Sequence, residues 1–149
     1  MTLPTSIVYF FYQNVKLRIE NRTGLKLYIE SIFKKEKRKL GSINFIFCTD
    51  KALLQINKQF LKHDFYTDII TFDLSDKPGT IDAEIYISVD RVRENAKAHQ
   101  TSFKEELHRV IFHGVLHLCG YGDKTAKQSL EMRGREDGYL KKYQIRGST

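Results

Sequence analysis

Residues 113–123 read HGVLHLCGYGD and close a long amphipathic segment. Apolar residues recur at helical spacing before this stretch, and Ser102 with Glu105 forms a capping box that marks the start of a helix. On such a helix His113 and His117 are four residues apart, so their imidazoles share a face and are able to bind one ion together. The stretch therefore predicts a metal-binding helix against which the other elements pack.

A third ligand has to come from beyond the end of this helix. Asp123 follows His117 by six residues, which would be about 9 Å further along the axis of a continuous helix. Gly120 predicts the end of the helix because glycine readily adopts the left-handed conformation found there, and Gly122 loosens the turn that follows. We therefore expect a metal centre formed by His113, His117 and Asp123, with at least one coordination position open, as in catalytic sites.

The ligand spacing matches that of the zinc-protease helix H-E-x-x-H-x-x-G-x-x-H except at two positions. Gly114 stands where those proteases carry the glutamate that acts as general base, and Asp123 replaces the third histidine. Without that glutamate a metalloprotease is the less favoured interpretation. The expected cofactor is one Zn²⁺ per chain, with another divalent metal as the alternative.

The 149-residue chain has the composition of a soluble globular protein, with 41% apolar and 29% charged residues. This length predicts one domain spanning residues 1–149. No apolar run is long enough to cross a membrane and no secretory signal is recognisable, so we expect no membrane partner. Cys48 and Cys119 lack the spacing of a disulfide framework, which favours free thiols in a reducing cytoplasm.

The charge balance favours a polyanionic partner. The chain has 25 basic and 18 acidic residues, a formal net charge of +7, which is typical of RNA-binding or DNA-binding proteins although solubility alone also explains it. Five cations cluster at the end of a helix predicted over residues 23–40, namely Lys34, Lys35, Lys37, Arg38 and Lys39. They complement the helix dipole, and contact with phosphates is the alternative interpretation.

Periodicity predicts an α+β fold with a mixed four-stranded sheet and about five helices. Predicted strands cover residues 6–12, 42–48, 68–74 and 82–88. Further helices are expected near 50–60, from Ser88 or Asp90 to about 98, from 102 to the stop at Gly120, and near 125–143. The first two connections between strands contain helices, which favours parallel pairing. A loop containing Asp76, Pro78 and Gly79 predicts that the last two strands form an antiparallel hairpin.

The stretch at residues 113–123 resembles the signature H-G-x-L-H-L-x-G-Y-D-H of the YbeY family, the bacterial endoribonucleases of ribosomal RNA maturation. Upstream, residues 57–72 are similar to the family's N-x-x-[YF]-R…D…T-[DN]-V-L-S-F segment, and residues 83–87 to its G-D-I-x-I strand. Two positions differ. Asp123 stands where the family usually has histidine, and Leu61 stands where it has an arginine thought to act in RNA cleavage.

The resemblance implies a metal-dependent, single-strand-specific endoribonuclease that acts in 16S rRNA 3′-end maturation and ribosome quality control. Ribosomal RNA and the small ribosomal subunit are the implied partners, and a monomer is expected. Candidate RNA-binding residues are Lys62, His63 and Arg109, while no catalytic side chain is assigned. The alternative is a non-catalytic ribosome-assembly or RNA-binding factor with a structural metal.

The sequence also predicts the structural roles of four further residues. We expect His108 to have a surface or capping role, because it lies five residues before His113 and points away from the metal face. Asp73 and Glu84 either orient the histidines through hydrogen bonds or are strand-edge charges. Met132 is expected in the core.

Overall fold

The computed structural model describes residues 7–147, and its elements follow the predicted order. The predicted start of the first strand, Ser6, lies outside the described residues. Four strands and five helices within this range confirm the α+β class. In chain order they are β1 (Val8–Tyr12), α1 (Arg22–Lys35), β2 (Lys39–Cys48), α2 (Asp50–Leu61), β3 (Ile69–Asp73), β4 (Thr80–Ser88), α3 (Val89–Ala98), α4 (Phe103–Leu118) and α5 (Ala126–Gly147).

Helix α1 is shorter than the sequence predicts. It ends at Lys35, with Glu36 as the capping residue, and Lys37 adopts a left-handed backbone conformation with φ of 60°. The predicted helix up to residue 40 is wrong because Lys39 and Leu40 already pair with Thr80 and Ile81 of β4. The main-chain hydrogen bonds of these residues therefore belong to the sheet.

The sheet has the strand order β1-β2-β4-β3. Strand β2 is parallel to β1 and to β4, whereas β3 runs antiparallel to β4, which confirms the predicted hairpin. The second connection joins β2 to β3, and the parallel pairing predicted for these two strands is wrong because β4 lies between them. Strand β4 buries Ala83, Ile85 and Ile87, while β3 is short and fully buries Ile70 alone, so the interior position suits β4.

Helix α4 lies in the main hydrophobic core. Its buried residues include Ile111 and Val115, which belong to the same cluster as Phe45 and Ile85 of the sheet. Met132 of α5 also belongs to this core, as predicted. The histidines of α4 are therefore presented by a helix that packing holds rigidly.

Both cysteines are free and buried, which confirms the expected thiols. Cys48 belongs to a smaller cluster under α2, and Cys119 to the main core. None of the helices in the described range is both long and apolar enough to span a bilayer.

Gly114 allows α4 to approach the sheet closely. A Cβ atom at this position would lie 2.8 Å from Cδ1 of Ile85 and 2.9 Å from Cδ1 of Ile69. We expect Gly114→Ala to lower the free energy of unfolding by about 1–3 kcal/mol through overpacking, measured by urea denaturation. Gly134→Ala is the control, because that helical site has open space and alanine should stabilise it. Equal effects of the two substitutions would contradict the packing argument.

The predicted surface role of His108 is wrong, since its side chain is buried. It stacks on Phe112 and meets the ring of Tyr143, with centroids 6.1 and 5.0 Å away. Tyr143 belongs to α5, which continues past its predicted end near residue 143 to Gly147. Burial, followed by the positive charge of Lys104, lowers the pKa of His108 to about 4, which outweighs the opposite effect of the acidic neighbours Glu20 and Glu105.

This histidine should make the stability of the fold sensitive to acid. In the unfolded chain His108 has an ordinary pKa near 6.5, so between about pH 6.5 and 4 the unfolded state binds more protons than the folded one. The contribution of neutral, buried His108 to the free energy of unfolding is complete above pH 6.5. It is lost as the pH falls toward 4, and the total loss is up to about 3 kcal/mol. Urea denaturation at several pH values should show a flatter pH dependence for His108→Phe than for the wild type. Parallel curves would contradict this.

Candidate metal centre

The structure brings the three predicted ligands together. Helix α4 ends at Leu118, and Gly120 adopts the predicted left-handed conformation with φ of 103°, so the chain folds back. One carboxylate oxygen of Asp123, Oδ2, then lies 3.2 Å from Nε2 of His113 and 3.2 Å from Nε2 of His117. All three ligand atoms are within 4.8 Å of one another.

This geometry fits a divalent metal ion. Donor atoms bound at about 2.0 Å around a tetrahedral ion stand about 3.3 Å apart, close to the observed nitrogen-to-oxygen distances. Two imidazoles and one carboxylate form a donor set that suits zinc and leaves a coordination position free. The side chains of His113, His117 and Asp123 are 22%, 33% and 40% exposed, so this position is open to solvent and to a substrate.

The turn between His117 and Asp123 is held by the end of α1. The guanidinium of Arg38 donates to the carbonyl oxygen of Cys119 at 3.0 Å. Glu36 accepts hydrogen bonds from the hydroxyls of Tyr121, at 2.7 Å, and of Tyr139. Burial opposes the ionisation of Glu36, but these two hydroxyls lower its pKa, so the carboxylate is charged at neutral pH. The turn is thereby joined to both α1 and α5.

The start of α5 holds the same turn from the other side. Ser129 donates its hydroxyl to the backbone carbonyl of Asp123 at 3.0 Å. Thr125 and Gln128 form the predicted capping box. The backbone amide of Gln128 donates to the hydroxyl oxygen of Thr125, and the backbone amide of Thr125 donates to the side-chain oxygen of Gln128. The position of the Asp123 carboxylate is therefore set by local capping as well as by the α1 contacts.

Glu136 of α5 is a residue of the centre that the sequence did not predict. Its Oε2 accepts a hydrogen bond from Nδ1 of His113 at 2.5 Å, and its Oε1 accepts one from Arg109 at 2.9 Å. A carboxylate on Nδ1 fixes the ring so that Nε2 points at the metal position, as in many metal sites. The sequence carries no local signal for this contact, because Glu136 lies 23 residues from His113.

The orienting role considered for Asp73 and Glu84 is not seen. Asp73 accepts from Ser75, and Glu84 accepts from the hydroxyl of Tyr86. Their alternative interpretation as strand charges agrees with these contacts.

Neighbouring charges favour the protonated form of His113. Burial disfavours the charged imidazole, but the hydrogen bond and charge of Glu136, with the charges of Asp123 and Asp68, outweigh it and raise the pKa of His113. A proton and a metal ion therefore compete for Nε2 of this residue, and acidification should weaken metal binding.

A cavity of about 380 Å³ opens beside His113. Asp68 lines it and accepts from the side-chain amide of Asn95 at 3.3 Å, and burial raises the pKa of Asp68. Four carboxylates line this cavity, namely those of Asp68, Glu106, Asp123 and Glu136.

The three candidate RNA-binding residues are not brought together. Arg109 lines the cavity, but its guanidinium is bound by Glu136 and, at 2.6 Å, by Asp137. Lys62 ends α2 in a left-handed conformation, and His63 stacks on the ring of Phe65 with centroids 5.1 Å apart. Lys62 and His63 do not line the cavity, and their role in RNA binding stays a prediction.

Comparison with known proteins gives a consistent result. The family model described as Endoribonuclease YbeY matches residues 12–144. The Endoribonuclease YbeY of Cytophaga hutchinsonii is 47% identical over 133 residues, covering 89% of this chain and 93% of the relative. That of Flavobacterium psychrophilum is 44% identical over 136 residues, covering 91% and 96%. The solution structure of TM1509 from Thermotoga maritima has a TM-score of 0.62 and 29% identity, over 95% of this chain and 93% of that one.

Proposed function

The chain belongs to the YbeY family of endoribonucleases, which confirms the resemblance seen at residues 113–123, and from this premise we propose a metal-dependent RNA-cleaving hydrolase. One observation supports the metal site above all others. Nε2 of His113 and Nε2 of His117 both lie 3.2 Å from Oδ2 of Asp123, and Glu136 occupies the other nitrogen of His113. The proposed metal ligands are therefore His113, His117 and Asp123.

The proposed cofactor is one zinc ion per chain, which the mixed nitrogen and oxygen donor set supports. A divalent ion bound there supplies Lewis acidity for the charge that develops on a phosphodiester. The protein contributes rigid positioning. Glu136 and the buried helix α4 hold His113, while the contacts of Glu36, Arg38 and Ser129 hold the turn that carries Asp123.

The attacking nucleophile is identified by the ends of the RNA products. A 2′,3′-cyclic phosphate requires attack by the 2′-hydroxyl of the RNA itself, whereas a 5′-phosphate with a 3′-hydroxyl requires attack by water. Gly114, which stands at the position of the protease glutamate, packs against the sheet and offers no base in either case.

The experiment that tests the function combines metal analysis with RNA cleavage. We expect the purified full chain to carry about one zinc by elemental mass spectrometry and to cut a single-stranded ribosomal RNA fragment. A chelator should abolish cleavage, and added zinc should restore it. A metal-loaded protein that never cuts would overturn the nuclease. The second candidate would then apply, an RNA-binding assembly factor with a structural metal, which Leu61 at the family's arginine position favours.

The proposal also covers the compartment and the RNA-processing step in which the protein acts. We propose that residues 1–149 act as one domain, monomeric and cytoplasmic, in 16S rRNA 3′-end maturation and ribosome quality control on the small ribosomal subunit. The net charge of +7 and the two free, buried cysteines support an RNA partner and a reducing compartment.

A further inference from the structure

A groove of about 580 Å³ lies between the α1–β2 connection and the β3–β4 turn. We call it the basic groove, because four cations line it against two carboxylates, those of Asp73 and Asp76. Asp73 is engaged by the amide and the hydroxyl of Ser75. The four cations are Lys37, Arg38, Lys39 and Lys77.

The dipole of α1 does not account for these cations. The helix ends at Lys35, so only Lys34 and Lys35 lie in its last turn and complement its dipole. The cations of the basic groove come later, in the connection, at the start of β2 and in the β3–β4 turn. Among residues 7–147, none of the four forms an ion pair within 4.0 Å. No carboxylate in that range therefore neutralises their charge, unlike that of Arg109, and the three lysines are available to an external anion.

The basic groove adjoins the C-terminal end of α4, the helix that carries His113 and His117. Leu118 lines the groove and directly follows His117 in the last turn of α4. Arg38 connects the groove to the turn that carries Asp123, since its guanidinium is bonded to the carbonyl of Cys119. An anion bound along the groove would thus lie next to the end of α4 and the turn that leads to Asp123.

The cavity beside His113 and the basic groove differ in charge. The cavity beside His113 is lined by four carboxylates and two arginines, of which Arg109 is already paired and Arg133, within the described residues, is not, so negative groups outnumber the free cations on this side. The basic groove has a net positive lining and free cations. RNA carries one negative charge per nucleotide, and its affinity for proteins is dominated by contacts between phosphates and such cations.

We propose that the basic groove binds the phosphate backbone of single-stranded RNA and directs it to the metal centre from the His117 side. This inference rests on the proposed function, for which it names the substrate path. It assigns RNA contact to Lys37, Lys39 and Lys77, while Arg38 also positions the turn.

The test is the salt dependence of RNA binding. The variant Lys37→Gln/Lys39→Gln/Lys77→Gln is compared with Lys16→Gln/Lys51→Gln/Lys97→Gln, which removes the same charge from exposed lysines outside the groove. Affinity for a fluorescent single-stranded RNA oligonucleotide is measured by anisotropy over a series of KCl concentrations. The groove variant should bind about tenfold more weakly at moderate salt, and its log–log salt slope should fall by about 2, since each phosphate contact contributes about 0.7. The control should keep the wild-type slope.

The outcomes separate this inference from the function itself. If the wild type cuts RNA and the groove variant shows the wild-type slope and affinity, the basic groove is overturned and the nuclease stands. If the two triple variants lose affinity equally, general charge is the cause and the groove is overturned. If the metal-loaded wild type neither binds nor cuts RNA, both proposals fall. Should the triple variant not fold, Lys77→Gln alone must lower the slope by about 0.7.

Discussion

Replacing His117 with alanine is expected to leave a folded protein that retains no zinc and cuts no RNA. Only His113 and Asp123 would remain as ligands. Loss of a residue that merely hydrogen-bonds to a ligand lowers metal affinity by up to about 100-fold, so loss of the ligand itself should lower it by more. The side chain of His117 is one-third exposed, so its truncation leaves no closed cavity in the core. Elemental mass spectrometry, RNA cleavage and circular dichroism measure the three parts of this prediction.

Asp123 provides the matched control. Asp123→Ala should behave like His117→Ala, whereas Asp123→His restores a third ligand of the type usual in the family and should retain metal and cleavage. Cleavage by His117→Ala at the wild-type rate would contradict the assignment of the metal centre, as would an Asp123→His protein that is folded but metal-free.

Replacing Glu136 with alanine is expected to lower both stability and metal affinity. Arg109 would lose its buried partner and keep the exposed Asp137, so its charge stays partly compensated and we expect a loss of about 1–3 kcal/mol of unfolding free energy. Nδ1 of His113 would lose its acceptor, so metal affinity should fall about 10–100-fold. Urea denaturation of the metal-free protein and competition with a zinc chelator measure these two effects separately.

Two variants separate the roles of this carboxylate. Glu136→Gln keeps the shape and an acceptor for Arg109 but removes the charge beside His113, so it should weaken zinc binding more than it lowers stability. Asp137→Asn removes the other partner of Arg109, which does not contact the histidine, and should leave zinc affinity near the wild-type value. Equal zinc affinities for Glu136→Gln and the wild type would show that Glu136 is merely structural.

The grouping of the three candidate metal ligands could be predicted from the sequence because it depends on local geometry. Four residues on a helix place His113 and His117 on one face, and glycine at position 120 permits the left-handed turn that returns Asp123. The capping of α4 by Ser102 and of α5 by Thr125 was predictable for the same reason, since a cap and its amide lie three residues apart. The class of fold could be predicted from the periodicity of the apolar residues, because this periodicity is a property of each helix or strand segment taken alone.

Only the tertiary structure decided which distant groups meet at the site. Glu136 reaches His113 because α5 packs along α4, and the insertion of β4 between β2 and β3 depends on how well each strand is buried. The early end of α1, which frees the cations of the basic groove, results from pairing with β4. The sequence by itself therefore determined the grouping of the candidate metal ligands, the caps and the fold class, whose signals are local. The partner of His113, the strand order and the free cations were left to the tertiary structure, because packing between segments far apart in the chain has no local periodicity or spacing.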